Sequence, residues 1–287
     1  LKKPFKVVID FNYSPASQFL PAVLNELGCE VIGLNAYIEK ERGAKLEEEK
    51  QQSLDQLSKI VATLEAQAGF WLDATNEAVI LLDETGRIYS EAEILTLMTA
   101  LMLNTGGKGV IAVPVSAPSV IEMMAHEQGC PVRRTKSSER SMIEAALSPE
   151  VIMAGSMDGR FAFPKFQSAF DGMFAIAKTI QLMASTGVPL SRTMEEIPHR
   201  TFLQTRVPCV WEMKGGVMRK MSEDSLDKEA TFIDGIKLHF NEDWVLVLPD
   251  QYQPYIHIIA EAKDPKTAQR LLTDYRKNVE RWKKELS

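Results

Sequence analysis

Phe5-Lys6-Val7-Val8-Ile9-Asp10 is a short apolar run rich in β-branched residues. Such a run, bounded by turn residues, predicts a buried strand. Ser14-Pro15 follows as a helix N-cap with proline at the first helical position. Leu20, Val23, Leu24 and Leu27 then recur at the spacing of one helical face, and Gly28 ends it. Glu30-Val31-Ile32-Gly33-Leu34 predicts a second strand. Strand, helix and strand in this order imply parallel strands joined by a crossover helix, so the chain begins as an α/β fold.

The pattern continues outward. Glu39–Gln52 is charge-rich in both signs, and Leu54, Leu57, Ile60, Val61 and Leu64 follow at helical spacing. Together they predict one amphipathic helix with a solvated first part. Gly69–Leu72 and Ala78–Leu82 read as strands, with a turn at Asp83-Glu84-Thr85-Gly86. Ser90 and Glu93 make a capping box, with Leu95, Met98, Leu101 and Met102 as the buried stripe behind it. Gly106-Gly107-Lys108-Gly109 follows a helix and precedes the strand Val110–Val115. A nucleotide-binding glycine loop needs the reverse order, so this one reads as a plain connection. Helices over Ser116–Gln128, Ser138–Leu147 and about 169–185 alternate with strands at Pro131–Thr135 and Val151–Ala154.

Beyond Pro198 the character changes. Val207–Met213, Ala230–Ile233, Ile236–Phe240, Trp244–Leu248 and Ile256–Ala262 are short strand-like runs joined by tight turns such as Asp234-Gly235. With helices over Gly215–Ser222 and Pro265–Lys284, they predict an antiparallel α+β domain.

A chain of 287 residues has room for two or three domains of roughly 100–150 residues each. Hydrophobic content of 45% is enough for real cores. The net charge of −6 gives no basic footprint for nucleic acid or an anionic membrane. No apolar run approaches the roughly 18–20 residues of a spanning helix, and a cytoplasmic protein is expected. Cys29, Cys130 and Cys209 are odd in number and far apart, which fits small buried thiols better than a disulfide framework or a zinc site. The opening Leu1-Lys2-Lys3-Pro4 enters a strand at once, without methionine or signal pattern, which suggests a piece of a longer polypeptide.

Several stretches resemble the α-D-phosphohexomutases, the phosphomannomutase and phosphoglucomutase family. Val7–Asn12 and Leu27–Ile32 resemble the opening of the family's second domain, and Leu82–Ile88 the segment after its metal loop. Arg134-Thr135-Lys136 and Asp171-Gly172 resemble pieces of the third domain, and Asp234-Gly235-Ile236-Lys237 a strand of the fourth. Their shared order covers nearly the whole chain. The resemblance implies two α/β domains with mixed sheets covered by helices, over residues 1–86 and 87–200, then a small α+β domain over 201–287.

The functional motifs are where the resemblance fails. The family's phosphate loop reads Arg-Pro-Ser-Gly-Thr-Glu-Pro. Here the corresponding residues are Leu248-Pro249-Asp250-Gln251-Tyr252-Gln253-Pro254. A phosphate dianion wants a guanidinium fork, hydroxyls and free N–H groups, and leucine and aspartate offer the opposite. The family's magnesium loop is Asp-Gly-Asp-Gly/Ala-Asp-Arg. Here it is Asp73-Ala74-Thr75-Asn76-Glu77-Ala78, leaving Asp73, Thr75 and Glu77 as a degenerate set for a cation that demands octahedral oxygen ligands. The sugar-recognition loop has become Ala154–Arg160, without its glutamates. Lys136, Arg140 and Arg160 survive as residual sugar-phosphate contacts, and no catalytic residue is assigned. The serine-bearing first domain has no counterpart in this sequence.

The resemblance is therefore greatest to the mutase-like C-terminal region of mannose-1-phosphate guanylyltransferase-like proteins, on the Asp10–Ser14 loop in particular. That implies a non-catalytic structural, regulatory or ligand-binding region downstream of a nucleotidyltransferase. It would take a sugar phosphate or nucleotide sugar, need no cofactor of its own, and leave room for an oligomer. The alternatives are an active mutase completed by an upstream domain, using Thr75 and Glu77 for metal, and a pure assembly module.

Overall fold

The computed structural model describes residues 5–38 and 47–286. They form two compact units. The first comprises the chain up to Val113 with Ile121–Arg133 and Met142–Ile197; the second comprises Pro114–Val120, Arg134–Ser141 and the chain from Pro198 onward.

In the first unit, β1 (Phe5–Asp10) pairs in parallel with β2 (Cys29–Leu34) and β3 (Ala68–Leu72). Strand β4 (Val79–Leu82) closes the sheet antiparallel to β3, in the order β2-β1-β3-β4. The predicted βαβ start is present. Its helix is shorter than expected: a 3-10 turn occupies Pro15–Gln18, and α1 runs Leu20–Glu26. Ser14 makes no side-chain cap bond there. Leu20 and Leu24 are buried, whereas Val23 and Leu27 are exposed, because a helix of two turns lays a single i,i+4 row on the sheet. Helix α2 (Glu47–Thr63) packs Leu54, Leu57 and Val61 against Val8, Trp71 and Leu82. The charge-rich part of that prediction over residues 39–46 lies outside the described residues.

A second sheet runs in the order β6-β5-β7-β8, from β5 (Val110–Pro114), β6 (Val132–Thr135), β7 (Val151–Gly155) and β8 (Phe161–Ala162). Strand β7 is parallel to β5 and antiparallel to β8. Helix α3 (Glu91–Asn104) starts at the predicted capping box, with both reciprocal bonds made. It buries all of residues 94–103 rather than one stripe, since β4 and the helices over Gly172–Thr186 and Leu190–Glu195 pack around it. Helix α4 (Val120–Glu127) begins four residues later than predicted. Pro118 disfavours helical geometry at Ala117, whose N–H instead closes a turn onto Pro114 O at 3.0 Å. Helices α5 (Glu139–Ala146) and α6 (Gly172–Thr186) match expectation, while α7 (Leu190–Glu195) and β8 were not predicted.

The second unit is an antiparallel sheet in the order β10-β11-β12-β13-β9. Its strands are β9 (Thr201–Pro208), β10 (Ala230–Thr231), β11 (Ile236–Phe240), β12 (Asp243–Pro249) and β13 (Tyr255–Ala262). The run Val207–Met213 is not one strand: its first two residues end β9 and its last three begin a helix. Pro208 ends β9, and α8 (Trp211–Asp224) begins just after it. Alternation along the strands buries both faces. Val245, Val247, Ile256 and Ile258 meet Val217 of α8 and Leu271 and Val279 of α9 (Pro265–Leu286). Trp244, Leu246, Leu248 and Ile259 form a second cluster with Val115 on the opposite face.

Polar groups pin that second face. Lys237 Nζ lies 3.6 Å from the Trp244 ring centroid and donates to Val115 O at 3.1 Å. Glu261 has no solvent exposure. Its carboxylate accepts from Ser119 N at 2.8 Å and Ser119 Oγ at 2.6 Å, and Arg200 Nε stands 2.8 Å away. A buried carboxylate is tolerated because it is paired and hydrogen-bonded in this way. Replacing Glu261→Ala leaves the buried Arg200 guanidinium with Asp243 and the exposed Glu242 but without the carboxylate at its Nε. The expected loss is about 3 kcal/mol, the low end for breaking a buried pair, read as a lower urea midpoint. An unchanged midpoint would show that the network is dispensable.

Candidate functional site

Four loops carry the residues singled out from the sequence. The first, Asp73–Ala78, joins β3 to β4. Asn76 takes a positive φ of 63°, and its N–H closes a turn onto Asp73 O at 3.1 Å. The Asp73 carboxylate then clasps its own loop. Oδ1 accepts from Glu77 N at 2.8 Å and Ala78 N at 3.0 Å, and Oδ2 accepts from Thr75 Oγ1. Glu77 points elsewhere, with Oε2 3.8 Å from Arg160 Nη1, and Arg160 Nε is 3.4 Å from Asp158. Asp73 and Thr75 are thus brought together, while Glu77 faces a cation. Among the described residues no group of three His, Cys, Asp or Glu is arranged to hold a metal. Magnesium demands near-octahedral oxygen ligation. A carboxylate spent on backbone N–H groups and another facing a guanidinium do not fit that demand.

Two glycines set the neighbours of this loop. Gly159 has φ 81°, and a Cβ there would lie 2.3 Å from Val79 O. That close approach lets Val79 N donate to Gly159 O at 3.0 Å and places Arg160 opposite Ala78. A Cβ on Gly172 would stand 2.7 Å from Leu72 Cδ1 and 3.0 Å from Asn76 O. Only glycine lets α6 start against the loop there, with Gly172 N donating to Asn76 O at 2.8 Å and Asp171 capping Phe174 N at 2.8 Å.

Lys136 and Arg140 lie in the Arg134–Ser141 segment of the second unit, both exposed, whereas Arg160 belongs to the first unit. The segment is anchored on either side of Lys136. Arg134 donates to Pro114 O and Ala117 O at 2.8 Å each, and Ser137 N donates to Asp234 Oδ2 at 2.9 Å. The Asp234-Gly235 turn therefore holds the lysine loop, a role the sequence did not reveal.

The last of these loops follows β12. Leu248, at the position of the family arginine, is buried with Trp244 and Val115. Asp250 fills its own loop: Oδ1 accepts from Tyr252 N and Gln253 N at 2.8 Å each, and Oδ2 lies 2.7 Å from His257 Nε2. Lys214, 7% exposed, donates to Asp250 O and Gln253 O at 2.6 Å each, with Nζ 3.6 Å from the Trp211 ring centroid. Tyr252 is 77% exposed, and Gln251 is exposed as well. The loop's N–H groups thus bind an internal carboxylate where a phosphate would need them. An aspartate preceding two free N–H groups is a known turn signal, so this clasp had a local cue. Lys214 and His257 had none.

Burial alone would raise the Asp250 pKa. The His257 hydrogen bond and the two backbone N–H groups outweigh it and hold the carboxyl below its ordinary value of 3.8. A depressed carboxylate adds stability above its unfolded pKa and loses it as pH falls through the folded one. Asp250→Asn should therefore be less stable than the parent at about pH 6, with the gap closing below about pH 3.8 as the parent carboxyl protonates. Urea midpoints across that range test this, and a gap independent of pH would refute it.

The family descriptions "Phosphoglucomutase/phosphomannomutase, alpha/beta/alpha domain II" and "domain III" match residues 1–86 and 91–201. A probable phosphoglucosamine mutase of Methanopyrus kandleri is 30% identical over 94% of this chain and 60% of its own length. The chain thus spans about 60% of that curated relative. Among solved structures, a Burkholderia thailandensis phosphoglucomutase/phosphomannomutase family protein superposes with a TM-score of 0.84 at 19% identity, over 99% of this chain and 62% of that one. Aspergillus fumigatus N-acetylphosphoglucosamine mutase, in complex with GlcNAc-6P and magnesium, gives 0.65 at 12% identity over 97% and 62%. With these matches in fold and sequence, the chain belongs to the phosphohexomutase family through its domains II and III.

Proposed function

We propose that this chain is a phosphohexomutase module that engages a phosphorylated hexose without transferring its phosphoryl group. The observation that carries the reading is the loop after β12, where the Asp250 carboxylate takes the Tyr252 and Gln253 N–H groups and Leu248 is packed into the core. Phosphoryl transfer depends on positioning and charge neutralisation. A loop that turns its donors inward onto a fixed negative charge supplies neither. The loop after β3 supports the same reading, since Asp73 clasps its own backbone and Glu77 faces Arg160, an arrangement poorly suited to octahedral magnesium.

The ligand class follows from the relatives, whose names centre on glucosamine and glucose phosphates. In this reading Lys136 and Arg140 supply the anion contact, and Arg160 serves mainly to neutralise Glu77 and Asp158. The division at 1–86, 87–200 and 201–287 is retained as the module's domain plan. Its position downstream of a sugar-1-phosphate nucleotidyltransferase is proposed on the resemblance of the Asp10–Ser14 loop. The second reading, an active mutase completed by sequence beyond this chain, is favoured by the 30% identity to a phosphoglucosamine mutase that this chain spans to 60%.

Two measurements separate them. With glucosamine 1-phosphate, a hexose bisphosphate and magnesium, the chain should show no turnover, alone or joined to a serine-bearing first domain. Turnover of the joined protein would establish the second reading. Titration with glucosamine 6-phosphate should give saturable binding in the micromolar to millimolar range, from two or three charge-assisted bonds of roughly 1.5–3 kcal/mol less ordering costs. A Lys136→Ala, Arg140→Ala double variant should lose it, and equal binding by the variant would remove these two residues from the reading. Magnesium alone should bind no tighter than about millimolar, and micromolar affinity would show the Asp73 loop to be functional.

A further inference from the structure

At the start of β7, away from the loop Ser156–Arg160 that leaves its end, the first unit contains a cleft of about 720 Å³. Its walls are the end of α3, the Gly106–Lys108 turn, the Phe163–Phe166 turn and one face of α6. The volume falls in the range of small-molecule sites, roughly 300–1,000 Å³. None of the candidate site residues named from the sequence lines it, and the glycine-lysine turn that does reads from the sequence as a plain connection.

Its chemistry is unusual for an acidic chain. Lys108, Lys165 and Lys178 all line it, and no Asp or Glu is among the described residues that do. Lys178 is half-buried on α6, and its pKa is pushed down first by burial and then by the facing charge of Lys165. Its amine donates to Gln181 Oε1 at 2.9 Å, a neutral partner. Lys165 thus disfavours the charged form of Lys178 in a cleft that no carboxylate lines among the described residues, and an anion bound beside both lysines relieves this. Beside them stands an aromatic wall. Phe166 stacks on Phe174 with centroids 4.0 Å apart and planes 4° from parallel, and Phe163 meets Phe174 at 5.5 Å. Phe166 remains 57% exposed, an uncovered apolar face held in a fixed plane by its partner.

We propose that this cleft is a second ligand site, separate from the candidate loops, that takes a small aromatic phosphate. The phosphate sits between Lys165 and Lys178 through charge-assisted bonds, and the ring covers Phe166. An inorganic ion alone would leave the aromatic wall bare, and a neutral aromatic would leave the lysines unrelieved.

The test titrates the whole chain by calorimetry or NMR with four probes: adenosine 5′-monophosphate, phenyl phosphate, inorganic phosphate and ribose 5-phosphate. Both aromatic phosphates should saturate at millimolar or lower concentration, roughly tenfold tighter than the two non-aromatic probes. Tighter binding of the nucleotide than of phenyl phosphate would assign the ring to a nucleobase, and equal binding to a general aryl group. A Lys165→Ala, Lys178→Ala double variant should lose roughly tenfold or more, and Phe166→Ala should lose the preference for aromatic probes while keeping phosphate binding. Lys178→Arg, which keeps the charge, should bind nearly as the parent does. Lys165 and Phe166 lie at the surface, so their replacement is compatible with folding, and unchanged thermal melts confirm it. Absence of saturable binding by both aromatic phosphates, or equal binding by the double variant, would overturn the proposal. Equal affinity for ribose 5-phosphate would overturn its aromatic part. Because Lys136 and Arg140 are untouched in these variants, the outcome is independent of the sugar-phosphate reading.

Discussion

Glu261 sits on β13 with no solvent exposure, on the strand face shared with Ile259. A carboxylate in that position is tenable only if its partners come to it, since leaving it unpaired costs several kcal/mol. They come from two distant stretches. Ser119, the residue before α4, donates both its N–H and its hydroxyl, and Arg200 approaches from the segment before β9. Lys237 on β11 does the same in reverse, carrying a cation to the Val115 carbonyl over the Trp244 ring. The short segments that leave β5 and β6 therefore form part of the second unit and share its second core. The placement of Lys136 and Arg140 follows from this arrangement, because the Arg134–Ser141 segment that carries them is tied to Asp234 in the same way.

A second regularity runs through the loops. Asp10, Asp73, Asp83 and Asp250 each turn a carboxylate back on the backbone N–H groups just after it. Such clasps order a loop without any ligand and consume the donors an anion would need. At Asp83 the clasp is reinforced by the buried Tyr89 hydroxyl, which donates to Oδ2 at 2.9 Å. The loops that correspond to the family's binding motifs are thus stabilised from within. Three lysines, and no carboxylate among the described residues, line the cleft beside Phe174. The chain keeps a family scaffold while distributing its charges in a way the family motifs do not anticipate.

The elements were legible in the sequence wherever their cause was local. The strand Phe5–Asp10, the Ser90–Glu93 capping box and the short strands Ile236–Phe240 and Trp244–Leu248 all rest on residues within a few positions of one another. Two of the misreadings share one origin. Periodicity extends helix α4 back through Pro118, and it makes one strand of the apolar run Val207–Met213, which bridges the end of β9 and the start of α8. In both, hydrophobic periodicity ran across a proline-marked junction. Cys29, Cys130 and Cys209 were read as small buried thiols, and each is buried and unbridged.

By itself the sequence determined the order of the elements, the α/β to α+β change near Pro198 and the loss of phosphate-binding residue types at Leu248 and Asp250. These depend on residue chemistry and short-range spacing. Only the tertiary structure decided what the replacements do: that Leu248 is core, that Asp250 fills its own loop against His257, that Glu77 answers Arg160 and that Glu261 gathers Ser119 and Arg200. Those partners lie 7, 83, 142 and 61 positions apart in the chain. No local pattern encodes such pairings, because each is selected by the cost of leaving a buried or crowded charge without its counterpart once the chain has folded.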